Sequence, residues 1–146
     1  MTTEYEEYEA TKEYEATRWD IARLLTESER FPSGAEVVPD NAHEHAHALF
    51  LSVTWRVPGQ DRDRLCVPIR FAIDGDVIAL LHEIQDQAER KLFDEYFLRF
   101  VDDRMRDYDI KSGRSNTNMH GSTFDIIFDT DDMKPFHDAL AKHLLA

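Results

Sequence analysis

The feature of this 146-residue chain that most constrains its fold is an apolar-polar alternation that occurs twice near its middle. From Leu49 to Val57 the odd positions are apolar, and Ser, Thr and Arg occupy most of the even ones. The same odd-position pattern returns at residue 65 and continues to Ile73. A period of two is typical of a strand that buries one face. The pattern therefore predicts strands over 47–57 and 64–73.

The connection between these strands predicts how they pair. A Pro-Gly pair at 58–59 and a short polar run separate them, which is typical of an antiparallel hairpin, 47–57/64–73. Pro68 has no N–H group for the ladder, so we expect it at an edge or a bulge. A third alternating stretch, Phe124 to Phe128, predicts a third strand. An extra short strand is expected near 117–120.

Helical periodicity flanks the strands. Apolar residues spaced by three and four predict helices over about 4–29 and 76–107, and a last helix after residue 131. We expect residues 1–8 to fray and 112–118 to form a polar loop.

The elements together predict a single α+β domain over 1–146, in the order αββαβα. Each strand has one apolar face, so the helices should cover one side of the sheet in a two-layer sandwich. This arrangement requires Leu51, Val67 and Ile126 to point toward the helices. The opposite side, which we call the mixed face, is able to meet water or a partner and carries Phe50, Ser52, Thr54, Arg56, Cys66, Arg70, Ala72, Asp125 and Ile127.

Charge and composition argue against several classes of function. The chain has 30 Asp and Glu against 17 Lys and Arg, a formal charge of −13, which repels nucleic-acid phosphates and anionic lipid headgroups. No apolar run approaches the roughly 20 residues that span a bilayer. Its single cysteine cannot form an intramolecular disulfide, and its acidic start differs from a secretory signal. We therefore expect a cytoplasmic protein that binds neither nucleic acid nor membrane.

Residues 43–47 read His-Glu-His-Ala-His and match the H-E-x-x-H motif. Over this segment the chain resembles zinc-dependent metalloproteases, in which a helix places two histidines on one zinc while the glutamate activates water. Here a strand pattern begins directly downstream. In an extended segment His43, His45 and His47 point to one side, about 6.5 Å from one to the next. Two of them can then share a zinc, but three in a straight row cannot converge on one ion.

A zinc-dependent hydrolase that uses Glu44 as its base is therefore one alternative, with Glu83 or His82 as the third ligand. The simpler interpretation is that the histidines are solvated or lie at the edge of the core, with no cofactor bound. Cys66 is interpreted as a half-buried structural thiol, and the acidic run 129–132 as a helix cap rather than a cation site.

The second predicted helix has more apolar surface than a three-stranded sheet can cover. Phe93, Phe97 and Val101 form a stripe beside its main apolar face, which predicts contact with another chain. Tyr5 and Tyr8 in the acidic first helix are further candidates, since tyrosine offers a large contact area at low entropic cost. We therefore expect a non-enzymatic protein-binding or regulatory domain that pairs with itself, as a homodimer, or with another protein.

The size, the acidity and the order helix, strands, helix, strand, helix resemble the class I type III secretion chaperones. The resemblance is one of architecture and involves no sequence motif. It implies a homodimer that wraps an unfolded segment of an effector protein. Effector binding of this kind is a second alternative.

Overall fold

The chain has an α+β fold, as the alternation of strand and helix patterns predicts. Four α-helices are present in the described residues: α1 (Glu4–Glu27), α2 (Gly75–Glu83), α3 (Gln87–Arg104) and α4 (Lys134–Leu145). The computed structural model describes residues 4–39, 48–59, 62–115, 119–120 and 123–145, and describes side chains from residue 15 on, apart from those of 119, 120, 143 and 145.

The strands form one large sheet and two short ribbons. In chain order the strands are β1 (Glu36–Pro39), β2 (Ala48–Thr54), β3 (Arg56–Val57), β4 (Arg64–Leu65), β5 (Ile69–Asp74), β6 (Tyr108–Asp109), β7 (Arg114–Ser115), β8 (Met119–His120) and β9 (Thr123–Phe128). The large sheet has five strands in the order β1-β2-β5-β9-β8. β5 and β9 run parallel, and the other neighbouring pairs run antiparallel. The ribbons pair β3 with β4 and β6 with β7.

The predicted hairpin is present. β2 and β5 pair antiparallel with Leu51 opposite Phe71, and the β3–β4 ribbon continues the hairpin toward its turn. Pro68 lies between β4 and β5, outside both strands. Its carbonyl accepts a hydrogen bond from the Phe124 N–H at 2.9 Å. A residue without an N–H group is thus accommodated where the ladder is interrupted.

The sheet has more strands than the predicted order contains. β1 extends it on one side, with Val37 opposite Val53 and Val38 opposite Ser52. Four residues that end in a proline are too short for an alternation to be recognised. The short strand expected near 117–120 is present as β8, which pairs antiparallel with β9. Residues 117–118 lie outside the described residues.

The periodicity predicts one helix over about 76–107, and the structure has two. After α2, Ile84 is extended, with φ −83° and ψ 104°. Asp86 then starts α3, and its carboxylate accepts a hydrogen bond from the Glu89 N–H at 3.0 Å. Aspartate is among the preferred helix N-caps because it satisfies an unpaired N–H group of the first turn. The break lets α2 pack on α1 and β5 while α3 packs on α4.

The helices cover one face of the large sheet, as predicted. Leu51 and Ile126 are buried under them, whereas Val67 is half-buried at the margin of the core. The strands contribute an unbroken apolar layer to this core: Leu49, Leu51, Val53, Ile69, Phe71, Ile73, Phe124, Ile126 and Phe128.

The alternation breaks at Leu65 and Cys66, where the predicted orientation is wrong. Leu65 is 55% exposed and Cys66 only 2%. The Trp55 N–H donates to the Cys66 sulfur at 3.2 Å, and the Val67 N–H donates to the Gly113 carbonyl at 2.7 Å. Cys66 and Val67 therefore make hydrogen bonds to residues next to the two short ribbons and not to strands of the large sheet. The alternation of side chains between the two faces starts again only at β5.

Most of the expected polar loop at 112–118 belongs to a tight hairpin. β6 and β7 pair with Tyr108 opposite Ser115. Gly113 adopts the left-handed φ of 65°, and its N–H donates to the Asp109 carbonyl at 2.8 Å. Glycine adopts this conformation without steric cost. Residues 116–118 lie outside the described residues.

Candidate binding surface

The mixed face of the large sheet is the candidate functional surface, because the described helices do not cover it. Strand register places Phe50 opposite Ala72, and Ala72 opposite Ile127. Ile127 is 60% exposed, and the other two side chains are half-buried. Adjacent strands are about 5 Å apart, so these residues form a continuous line across three strands, which we call the apolar row.

The next row along the strands is mainly polar. Val38, Ser52, Arg70 and Asp125 follow one another across β1, β2, β5 and β9. Arg70 Nη2 lies 2.9 Å from Asp125 Oδ2, and these side chains are only 16% and 14% exposed. The cation of this polar row is therefore neutralised within the chain.

Further contacts hold this ion pair against the sheet. The guanidinium carbon of Arg70 lies 5.7 Å from the centroid of the Phe50 ring, a favourable cation–π distance. Thr123 Oγ1 donates to Asp125 Oδ1 at 2.7 Å. Within the described part of the chain, the buried Nε of Arg70 has no hydrogen-bond partner. These contacts fix the Arg70–Asp125 ion pair within the chain itself. Among the described apolar side chains of the mixed face, Ile127 is the most exposed.

The centre of the mixed face differs in charge from the chain as a whole. Arg70 and Asp125 cancel there, although the chain carries a formal charge of −13. The carboxylates of Glu36 and Asp74 lie only at the margins, since these residues pair with Thr54 and with the first residue of β2. The mixed face therefore presents to a partner an apolar row next to a polar row whose central charges, Arg70 and Asp125, cancel.

The sequence predicts most of this surface. Two of the residues that it assigns to the mixed face lie elsewhere, because Cys66 is buried in the core and Arg56 belongs to the β3–β4 ribbon. Val38 is missed because the strand that carries it, β1, is not predicted. The register that aligns the apolar row leaves no local signal in the sequence.

The apolar stripe predicted for partner binding lies inside the protein. Phe93 and Phe97 are each 1% exposed and Val101 is fully buried. The Phe97 ring lies 5.3 Å from the ring of Phe128 in β9, and the Phe93 ring lies 5.6 Å from the ring of Phe136 in α4. Strand β9 and helix α4 of the same chain thus cover the apolar stripe that was predicted to contact another chain.

The proposed metal ligands are only partly within the described residues. Glu83 and His82, the candidate third ligands, are exposed at the end of α2. No group of three or more His, Cys, Asp or Glu side chains that could hold a metal ion occurs in the ranges that the structure describes. The zinc site remains a prediction. Outside the described residues lie His43, Glu44, His45 and His47, as well as the side chains of Tyr5 and Tyr8.

The cysteine is part of a buried cluster next to the ribbons. The Tyr108 hydroxyl donates to the Val67 carbonyl at 2.7 Å, and its ring lies 5.7 Å from the Trp55 ring. Burial raises the pKa of the Tyr108 phenol, and the neighbouring Cys66 thiol raises it further. Cys66 is thus more deeply buried than the half-buried position expected for it.

The acidic run forms a helix cap, as the sequence predicts, and Asp129 caps the short 3-10 helix Thr130–Met133 that leads into α4. The Asp129 carboxylate accepts from the N–H groups of Asp131 and Asp132 at 3.0 and 3.3 Å. In return, Asp132 Oδ2 accepts from the Asp129 N–H at 2.9 Å. This reciprocal capping box satisfies N–H groups that the first turn leaves unpaired.

No protein-family model matches this chain. Comparisons with curated proteins and with solved structures likewise give no match. None of the described helices has the length and apolar character needed to cross a bilayer. The resemblance to class I type III secretion chaperones, and the effector binding that it implies, therefore stay predictions.

Proposed function

We propose that the chain is a protein-binding domain that forms a homodimer through the mixed face of its sheet. The observation that carries the proposal is the apolar row of Phe50, Ala72 and Ile127 on a face that the described helices leave uncovered. A sheet face in water normally carries polar side chains at its outward positions. A contiguous row of apolar side chains that ends in the exposed Ile127 is instead typical of a contact between proteins.

The distribution of charge supports a second copy as the partner. Two chains of charge −13 repel one another in most orientations. At the centre of the mixed face, however, Arg70 is neutralised by Asp125 at 2.9 Å. Two such faces therefore bring together two described rows in which the central charges, Arg70 and Asp125, compensate each other.

The geometry of the face suits a two-fold contact. In such a dimer the same patch is used by both copies, so it must be complementary to itself. An apolar row can pack on its symmetry-related copy, because two sheets that pack face to face are about 10 Å apart, with their side chains interleaved. The Arg70–Asp125 pair remains intact on burial, which avoids the cost of an unpaired charge in the interface.

We expect Ile127→Asp to convert the dimer into a monomer. The new carboxylate lies at the β9 end of the apolar row, where dimerisation buries it without a partner of opposite charge. Multi-angle light scattering after gel filtration measures the mass, and far-UV circular dichroism verifies that the variant is folded. The matched control is Leu144→Asp, because Leu144 in α4 is 68% exposed and lies away from the mixed face.

Three results contradict the proposal in different ways. A wild-type chain that is monomeric at all working concentrations argues against the homodimer. A dimer that survives Ile127→Asp argues against the mixed face as its interface. Equal loss of the dimer in Ile127→Asp and Leu144→Asp shows that added negative charge, rather than the position of the residue, disrupts it.

A further inference from the structure

The two rows of the mixed face are unequal on β5 and β9, and this inequality restricts how two copies can meet. In the polar row the cation of Arg70 lies on β5 and the carboxylate of Asp125 on β9, with Nη2 and Oδ2 2.9 Å apart. In the apolar row the small Ala72 lies on β5 and the larger Ile127, 60% exposed, on β9. Both rows therefore change character between the same two strands.

A two-fold axis along the strands keeps each residue at its level and exchanges the strands on either side of the axis. If the axis runs between β5 and β9, then β5 of each copy faces β9 of the other. Arg70 then faces Asp125 of the second copy. At the next level Ala72 faces Ile127 of the second copy. The strands of the two sheets stay nearly aligned, as in sheets that pack face to face.

Given the proposed homodimer, on which this assignment rests, we propose that its two-fold axis runs along the strands between β5 and β9. The charges of the two ion pairs then alternate in sign across the interface. Arginine has several N–H donors and a carboxylate several acceptor sites, so contacts within and between chains are compatible. Each exposed Ile127 enters the space above Ala72 of the second copy, where the small side chain leaves room for it.

Other two-fold axes give poorer contacts. An axis over β5 places Arg70 on its own symmetry mate, and one between β2 and β5 places the Asp125 carboxylate on Val38. An axis across the strands, over the polar row, places like charges on each other, which costs free energy. Over the apolar row, such an axis places Ile127 on Ile127 and leaves a gap above Ala72. Among these axes, the one between β5 and β9 satisfies both rows.

A variant with the two charges exchanged, Arg70→Asp with Asp125→Arg, tests the polar row without changing the net charge. Opposite charges face each other in its own dimer, as they do in the wild-type dimer. In a mixed dimer, however, each wild-type charge faces a like charge. We therefore expect the mixed dimer to fall at least about fivefold below its statistical share of about one half.

A second exchange, Ala72→Ile with Ile127→Ala, tests the apolar row by the same reasoning. Its own dimer keeps a large side chain over a small one, whereas a mixed dimer with wild type sets large on large. We expect the mixed dimer to fall at least about twofold, because overpacking is unfavourable. This variant also decides the test if the charge exchange fails to fold.

Native mass spectrometry measures the share of mixed dimers. Affinity-tagged wild type is mixed with each untagged variant at high dilution, so that subunits exchange, and the three dimers differ in mass. Tagged and untagged wild type are the control, which should give the statistical share. Circular dichroism verifies that both exchanged variants are folded.

The outcomes separate the axis from the homodimer. A monomeric wild type overturns the homodimer and this axis with it. Statistical mixing with folded variants, in a dimer that Ile127→Asp dissociates, leaves the mixed face as the interface and overturns the axis. An excess of mixed dimers also overturns the axis, because it shows that residues face their own symmetry mates. A folded exchanged variant that is monomeric does so too, since its own dimer retains the complementary contacts.

Discussion

At the scale of residues, two glycines show how local conformation and packing act separately. Gly34 and Gly113 both have positive φ, 89° and 65°. A Cβ atom at Gly34 meets nothing within 4 Å, whereas one at Gly113 comes within 2.6 Å of Val57 Cγ2 and 2.8 Å of Cys66 Cβ. A residue with a Cβ atom at position 34 is therefore strained only in its backbone. At position 113 the same residue also overlaps with Val57 and Cys66.

We expect Gly34→Ala to lower the free energy of unfolding by about 1–2 kcal/mol, the cost of the left-handed conformation for a residue with a Cβ atom. Gly113→Ala is expected to cost about 1–3 kcal/mol more, because the core must shift to admit the methyl group. Urea denaturation followed by circular dichroism measures both values. Equal losses for the two variants contradict the close packing of Gly113 against Cys66.

At the scale of elements, charged side chains join α1 and the segment that follows it to α3. Arg30 contacts both carboxylate oxygens of Asp102, at 2.9 and 3.1 Å, and Arg90 lies 3.4 Å from Asp20. Asp94 on α3 is half-buried beside this contact. Its burial raises its pKa above the ordinary 3.8, the nearby Arg90 opposes the shift, and Asp20 reinforces it.

The raised pKa of Asp94 means that the folded state holds this proton at a pH where the unfolded chain has lost it. Ionised Asp94 therefore destabilises the fold above its folded pKa, and this cost disappears as the pH falls below the unfolded value of 3.8. We expect Asp94→Asn to raise the free energy of unfolding at neutral pH by less than about 1 kcal/mol, since the carboxyl is partly solvated. The gain should vanish in acid.

Denaturation of wild type and Asp94→Asn at neutral and acidic pH measures this difference. Glu95→Gln is the matched control, because Glu95 is the exposed neighbour on the same helix. A gain for Asp94→Asn that persists in acid contradicts the electrostatic explanation and indicates a packing effect.

At the scale of the whole molecule, the net charge of −13 opposes the proposed homodimer, because two copies of the chain repel one another. Salt screens this repulsion, since the Debye length falls from about 10 Å at about 0.1 M to about 3 Å at about 1 M.

We therefore expect added salt to lower the dissociation constant of the dimer. Analytical ultracentrifugation at low and high salt measures this value. A dimer that weakens with salt contradicts the neutral mixed face and indicates solvent-exposed charge pairs across the interface.

Individual elements show where inference from the sequence succeeds. The alternation over 48–57 and 69–73 corresponds to the hairpin strands because the two faces of the sheet differ in composition. The break between α2 and α3 is harder to infer, since Ile84 continues the helical apolar pattern although its backbone is extended. A break of this kind depends on what each helix packs against, and periodicity carries no information about that.

The sequence by itself determined the long strands β2, β5 and β9, the helical segments and which side of the sheet is mixed, because these properties depend on the order of apolar and polar residues along the chain. Only the tertiary structure decided that Phe93 and Phe97 are core residues and that Phe50, Ala72 and Ile127 form one row. Burial and alignment of this kind arise between segments far apart in sequence. Their energies depend on relative position in space, which no local pattern records.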